Sequence, residues 1–317
     1  MNPRLQFILR LGITAALVVL IVVRVDWSSV AGILGAVSVT MLATAFAIKA
    51  IGIVLSAFKW GLLLEIQGTA LPLATLVRYY LVGMFANNFM PTIVGGDAAR
   101  AYQTARRTGD GWGAGASILM ERLTGLTGLL AVGIWAWTAS AARIGGFPFW
   151  LPIVAGLAAG AAVPAAGALL LRSIAIGKGA VGWRSSLLRL KEVYRRSRKR
   201  LLASLALSVL FHLLMGLGTW VLVRALGSSP RLIDVTWVVP AVSLLTMIPV
   251  SLNGYGLRET GYIVLLGSIG VPEAGGAAAA LLSRAILIVF STVGGVLLLG
   301  RFPLWISSPR PAPEETP

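Results

Sequence analysis

The sequence predicts an all-α polytopic integral membrane protein, with about six to eight membrane helices and two broken or re-entrant helical hairpins in inverted repeats. Three observations carry that expectation. Hydrophobic residues make up 57% of the chain and charged residues 12%, about half the charge that a soluble domain spreads over its surface. Residues 27–48, 123–142, 144–171, 201–223 and 235–257 contain no Asp, Glu, Lys or Arg, and a spanning helix needs about 20 apolar residues. Two further apolar segments are interrupted by proline and clustered glycine, where an unbroken span should run on.

Spanning helices are expected near 5–24, 33–58, 114–138, 148–171, 201–224 and 276–300, within one transmembrane domain of residues 1–305. The first of these has basic flanks like a signal sequence. No convincing small-residue cleavage site precedes Arg24 and Asp26, so a retained helix is expected. The Pro- and Glu-rich stretch 306–317 reads as a disordered tail.

The interrupted segments are 72–111 and 233–271. The first breaks at Asn87, Asn88 and Pro91, then runs through Gly95, Gly96 and Asp97. The second breaks at Pro249, then runs through Asn253, Gly254, Tyr255 and Gly256. Backbone groups freed by such breaks cost several kcal/mol each in hydrocarbon, so the breaks persist only where protein or a wet cavity surrounds them. Each segment therefore reads as a helical hairpin. Pro91 precedes Arg100 by nine residues and Pro249 precedes Arg258 by nine, while Gly96 and Gly254 each lie five after their proline. The ordered series defines repeat one over about 33–138 and repeat two over about 200–300. With three crossings between their starts the repeats are inverted, a pattern of secondary transporters.

Charge sets the orientation. The net charge is +16, and the loop 172–200 holds ten basic residues against Glu192 alone. Cytoplasmic loops collect Lys and Arg, so this loop, Arg106-Arg107 and both termini are expected in the cytoplasm. Anionic lipid, not nucleic acid, is the expected partner of that basic surface.

The chain has no cysteine, which excludes disulfides and thiolate metal sites. Its single histidine, His212, lies in an apolar run and reads as a hydrogen-bonded packing residue. Ionisable residues inside membrane segments default to function. The candidates are Asp97, Arg100, Glu121, Arg122, Arg258, Glu259 and Arg284. Arg100, Arg122 and Arg258 are expected to fork onto a head-group phosphate. Asp97, Glu121 and Glu259 are expected to pair those arginines or carry protons. Asn87, Pro91, Gly95, Gly96, Pro249, Asn253, Gly254 and Gly256 are expected to shape the hairpins and the path, with amide groups after Gly96 and Gly256 as further anion donors. Ion pairs that only stitch the hairpins to their neighbours are the competing reading.

Enzyme readings fit poorly. A two-histidine phosphatase centre cannot be built from one histidine, the acidic residues are too scattered for a divalent cation, and the glycines lack the lysine and strand of a nucleotide loop. No catalytic residue, cofactor or metal site is expected.

The runs Tyr80 to Pro91, Gly95 to Arg100, Ser117 to Arg122 and Pro249 to Glu259 resemble the lysylphosphatidylglycerol synthase transmembrane-region family. The resemblance extends from about Trp60 to Arg301. It implies movement of an anionic phospholipid or a polyprenyl-phosphate-linked lipid between leaflets of a bacterial inner membrane. These residues include no counterpart of the aminoacyl-transferase domain of the full-length synthases, so lysyl transfer is not expected. A lipid-modifying enzyme or glycosyltransferase is an expected partner. The competing class is a non-transporting subunit that presents a lipid-linked sugar to such a glycosyltransferase.

Overall fold

A computed structural model describes residues 3–89, 95–140, 192–248 and 250–299. Among them the regular structure is helical. Helix α1 (Pro3–Arg24) bends by 78° into α2 (Trp27–Gly35). The bend is fixed where Asp26 caps α2, accepting from the amides of Ser28 and Ser29. The loop expected at 24–33 is therefore mostly helix.

Helix α3 (Val39–Ile66) starts at Ser38, whose hydroxyl accepts from the Met41 amide, and stops at Gly68, which takes φ +84°. The expected span 33–58 is corrected at both ends: residues 33–35 belong to α2, and α3 continues eight residues further. The continuation is possible because its polar residues have places to go. Lys59 is buried beside the charges of the first hairpin, and Glu65 meets Arg200.

The first hairpin is α4 (Leu73–Phe89) and α5 (Gly95–Thr108), followed by α6 (Gly111–Ser140). The second half repeats the order: α7 (Arg198–Ala225), α8 (Leu232–Met247), α9 (Leu257–Gly267) and α10 (Glu273–Leu299). A one-turn 3-10 helix (Leu252–Gly254) precedes α9. The expected helix 148–171, the loop portion 172–191 and the tail 306–317 lie outside the described residues, as do Pro91 and Pro249.

Length separates two kinds of helix. Four helices, α3, α6, α7 and α10, are long and apolar enough to cross a bilayer, five spans if α1 and α2 count as one. The hairpin helices are shorter: at 1.5 Å per residue, α4 and α8 reach about 25 Å and α5 and α9 about 16–21 Å, less than a hydrocarbon core of ~30 Å. The long helices turn apolar side chains outward, Ile51, Val54 and Phe58 on α3 and Val289, Val293 and Val296 on α10, as a lipid-facing surface requires.

Helices α3 and α7 pack antiparallel at the centre. The Ser38 amide donates to the Ala225 carbonyl at one end, and Arg200 meets Glu65 at 3.4 Å at the other. The halves also exchange partners, α4 packing on α10 and α6 on α8. Each hairpin starts and returns at the end where its own central helix stops, so the two hairpins enter from opposite ends of the bundle. Their tips meet inside, where the Asn253 side-chain amide donates to the Asn88 carbonyl at 3.5 Å. A tip contact of this kind supplies partners for backbone that helix breaks leave open.

Candidate functional site

The site is built from the first turn of each returning hairpin helix. In the first half, Gly96 packs so closely under α4 that a Cβ there would strike the Gly83 carbonyl. Only glycine allows that approach, and it presses Asp97, the third residue of α5, against α6. Asp97 accepts from Arg122 through both carboxylate oxygens, Oδ2 from Nε at 2.9 Å and Oδ1 from Nη2 at 2.8 Å. It also accepts from Arg100 at 2.7 Å, and Arg100 donates to Glu121 at 2.6 Å.

Arg100 is 4% exposed. Its guanidinium lies between two rings, 5.0 Å from the centre of Trp60 and 4.7 Å from that of Tyr80. Trp60 is fixed in turn by donating to the Ser117 hydroxyl at 3.0 Å. Arg122 differs: its side chain is 52% exposed, although two of its nitrogens hold Asp97.

The second half reproduces one of these pairs. Glu259 is the third residue of α9, and Arg284 the twelfth of α10, as Arg122 is the twelfth of α6. Each pair is separated by 25 residues. Arg284 donates from Nε and Nη2 to Oε1 of Glu259 at 2.9 and 2.7 Å and lies over the Tyr255 ring at 4.2 Å. The other oxygen of Glu259 accepts from the Gly256 amide at 2.8 Å, closing the start of α9. Gly256 has φ +77°, which suits glycine at that turn.

This register corrects the one counted from the prolines. Arg100 and Arg258 are not equivalents: Arg258 is the second residue of α9, Arg100 the sixth of α5. The miscount has a physical cause. Nine residues, 248–256, join α8 to α9, whereas five, 90–94, join α4 to α5, and the longer connection includes the 3-10 turn with Asn253 and Gly254 both at positive φ. The amide of Gly256 itself is taken by Glu259. Glu121 and Arg122 are the eleventh and twelfth residues of α6, about three turns from its start.

Arg258 stands apart from the other arginines. Its Nε is buried without a hydrogen-bond partner. Among the described residues it makes no ion pair, since Glu259 is held by Arg284. Sequence reasoning passed over two cations on α3. Lys59 is 5% exposed and feels the charges of Glu121, Arg100 and Arg122. Lys49 and Arg258 are close enough for their charges to repel. Neither lysine forms an ion pair among the described residues. The signal was present, a lysine on either side of the charge-free run from 50 to 58, and the intramembrane charge rule should have caught it.

The remaining expected residues fall as follows. Asn87 is exposed near the first tip and packs on Gly96 through its Cβ. Asn253 lies in the second tip, with Gly254 buried beside it. His212 is buried, its Nε2 3.1 Å from the Gly125 carbonyl on α6, a hydrogen-bonded packing position. An apolar groove of about 120 Å³ runs between α6 and α8, lined by Leu129, Gly133, Trp137, Trp237, Pro240 and Leu244 among others.

The family described as lysylphosphatidylglycerol synthase TM region matches residues 7–295. No curated protein matches the chain.

Proposed function

The chain belongs to the lysylphosphatidylglycerol synthase transmembrane-region family, and from that premise we propose that it is a flippase-like lipid transporter. It moves an anionic phospholipid or a polyprenyl-phosphate-linked lipid between leaflets of a bacterial inner membrane. The observation that carries this reading is the uncompensated positive charge at the meeting point of two half-crossing hairpins. Arg258 has a buried donor with no acceptor, and Arg122 is half exposed beside its carboxylate. Charge at membrane depth is expensive and persists where it lines a path.

Residue roles follow from the geometry. Arg122 and Arg258 meet the head-group phosphate. Arg100, enclosed by Asp97, Glu121, Trp60 and Tyr80, holds the first hairpin to α6 and α3, and Arg284 with Glu259 does the same for the second. Acyl chains follow apolar surface such as the groove between α6 and α8. With hairpins from opposite ends, each leaflet has one hairpin whose tip reaches the centre, the arrangement alternating access uses. The work comes from a lipid gradient, an ion gradient or the membrane potential, and no bond is made or broken in the lipid.

The basic end of the bundle faces the cytoplasm in this reading. Arg106 and Arg107 end α5 there, and Arg195, Arg196, Arg198, Lys199 and Arg200 surround the start of α7. Around Glu192 that surface holds the carboxyl below its ordinary range, chiefly through the hydrogen bond from Arg196.

The test is translocation by the purified full-length protein in phosphatidylcholine vesicles carrying fluorescent phosphatidylglycerol or a short polyprenyl phosphate. Protein-dependent loss of the lipid from the reagent-protected leaflet is expected for at least one of them. Binding of either lipid with no translocation would instead make the chain a presenting subunit.

A further inference from the structure

We propose that α1 is a displaceable strap over the second hairpin, and that it leaves the hairpin turn when a phosphate oxygen of a lipid head group takes the Leu252 amide from Thr14. The inference rests on the reading that the hairpins enclose a head-group path, and it says how that path is closed.

Thr14 is the one polar side chain between Arg10 and Arg24. Threonines such as Thr44 and Thr127 turn their hydroxyls back onto a carbonyl of their own helix. The hydroxyl of Thr14 reaches across to the other half of the molecule, where it accepts from the Leu252 amide at 2.9 Å. Leu252 opens the 3-10 turn of the second hairpin, so its amide stands at a helix break. Three residues on along the same face of α1, Leu17 lies against Gly256: a Cβ on that glycine would stand 2.6 Å from the Cβ of Leu17 and 3.5 Å from the Thr14 carbonyl. Helix α1 thus lies across both ends of the turn 252–256. That turn leads into α9 and Arg258, whose Nε has no hydrogen-bond partner.

The rest of α1 is built to move. It precedes both repeats and belongs to neither. Its C-terminal end is pinned, since Ile21 and Val25 join the core and the Trp27 indole donates to the Val22 carbonyl at 2.9 Å. Elsewhere it turns outward, with Ile8, Leu11, Val18, Val19 and Val23 exposed. A helix held by one end and one face opens at lower cost than the packed pairs behind it. The Leu252 amide sets the condition for opening. An amide without an acceptor is costly at membrane depth, so α1 can leave only as another acceptor arrives. A phosphate oxygen is a stronger acceptor than a threonine hydroxyl because it carries charge. A ligand that binds the displaced state better shifts the protein toward it, and the head group thereby opens its own path.

The experiment uses the full-length chain, which has no native cysteine. T14C/L252C is treated with a short bis-thiol reagent that a reductant cleaves, and gel filtration reports its fold. Crosslinking is timed in a maltoside detergent alone and with added phosphatidylglycerol or a short polyprenyl phosphate. At least one of these lipids is expected to slow it about tenfold, the difference between a charge-assisted and a neutral hydrogen bond. Equal rates in all three samples overturn the proposal. Inorganic phosphate alone is expected to leave the rate unchanged, and slowing by that ion equal to the slowing by lipid overturns the head group as the displacing ligand. In phosphatidylcholine vesicles carrying either lipid in fluorescent form, the crosslinked protein is expected to translocate at least tenfold more slowly than the same sample after reduction. T14V keeps the shape of the side chain and removes the hydroxyl, so translocation should rise about fivefold, the equivalent of one neutral hydrogen bond. A folded T14V slower than the wild type would make Thr14 a support of the turn and overturn the strap. The two readings fail separately: translocation that the crosslink does not impede defeats the strap only, and lipid-slowed crosslinking without translocation defeats the transporter reading only.

Discussion

The two hairpins use one scaffold for opposite electrostatic ends. In the first, Asp97, Arg100, Glu121 and Arg122 form a closed set, with two charges of each sign linked by hydrogen bonds of 2.6–2.9 Å. In the second, the same carboxylate-to-arginine grip recurs between Glu259 and Arg284, but Arg258 is added and the second acid is missing. A closed set of buried ion pairs is weak evidence for net stability, yet breaking it is costly because a charge is left unmatched. An open set is the state that awaits a counter-charge. The contrast teaches that a repeated structural latch can be converted into a binding position by replacing the acid that would neutralise it.

The strongest way to break this comparison is to open the closed set. D97N removes the charge that Arg100 and Arg122 share, and the expected cost is about 3–5 kcal/mol, read as a large fall in unfolding temperature and loss of monodisperse protein. S283A, at the position where Glu121 stands in the other half, is expected to cost less than about 1 kcal/mol. A D97N protein as stable as the wild type would mean that the first set is not a latch, and the contrast would fail.

Close helix approaches sharpen the comparison next. A Cβ at Gly294 of α10 would collide with the backbone carbonyl of Leu81 on α4, whereas one at Gly133 of α6 would meet only the Pro240 side chain, at 3.0 Å. Backbone cannot yield as a side-chain atom can. G294A is therefore expected to cost about 2–3 kcal/mol and G133A about 1 kcal/mol or less. The measurement is thermal unfolding in one detergent, and equal losses would mean that the two cross-half contacts are not graded in this way.

The open set gives a smaller but more specific effect. R258Q removes an unmatched charge, so its fold should be kept, while transport of an anionic lipid falls about tenfold, or ~1.4 kcal/mol. R258K should recover part of the rate, since the charge returns without the planar fork. R284Q serves as the contrast: its loss should appear first as instability, because it leaves Glu259 buried without its cation. If R258Q proves unstable and R284Q does not, the roles assigned to the two arginines are reversed.

Much of this organisation was legible in the sequence. Helix type, the two breaks and the pairing of halves follow from charge-free runs, Pro and paired Gly, because hydrocarbon penalises open backbone so heavily. The register between halves was not legible, since proline marks a break without giving the length of the turn beside it. Nor was the division between latch and site. Arg100 and Arg258 look alike along the chain, and only Trp60, Tyr80 and Glu121, brought in from three other helices, show that one is enclosed. Lys49 and Lys59 were visible as charges in an apolar helix, but their different neighbours are a product of the fold.

The smallest predicted effect tests what the halves share. The two central helices end alike: α3 at Gly68 with φ +84°, α7 at Gly227 with φ +82°. Neither glycine has another atom within 4 Å of where a Cβ would stand. Steric conflict with neighbours is thus removed, and what remains is the intrinsic cost of holding an L-residue in left-handed backbone, about 1–2 kcal/mol. G68A and G227A should therefore lower the unfolding temperature by similar amounts, with transport unchanged after correction for folded protein. G68N and G227N should each recover part of the loss, because asparagine tolerates that conformation better than alanine. The turns lie at opposite ends of the antiparallel pair, so equal costs would show that the halves share a backbone design wherever no ligand charge is involved. A difference between G68A and G227A of more than about 1 kcal/mol would mean that the likeness stops at the helix order and does not reach the turns.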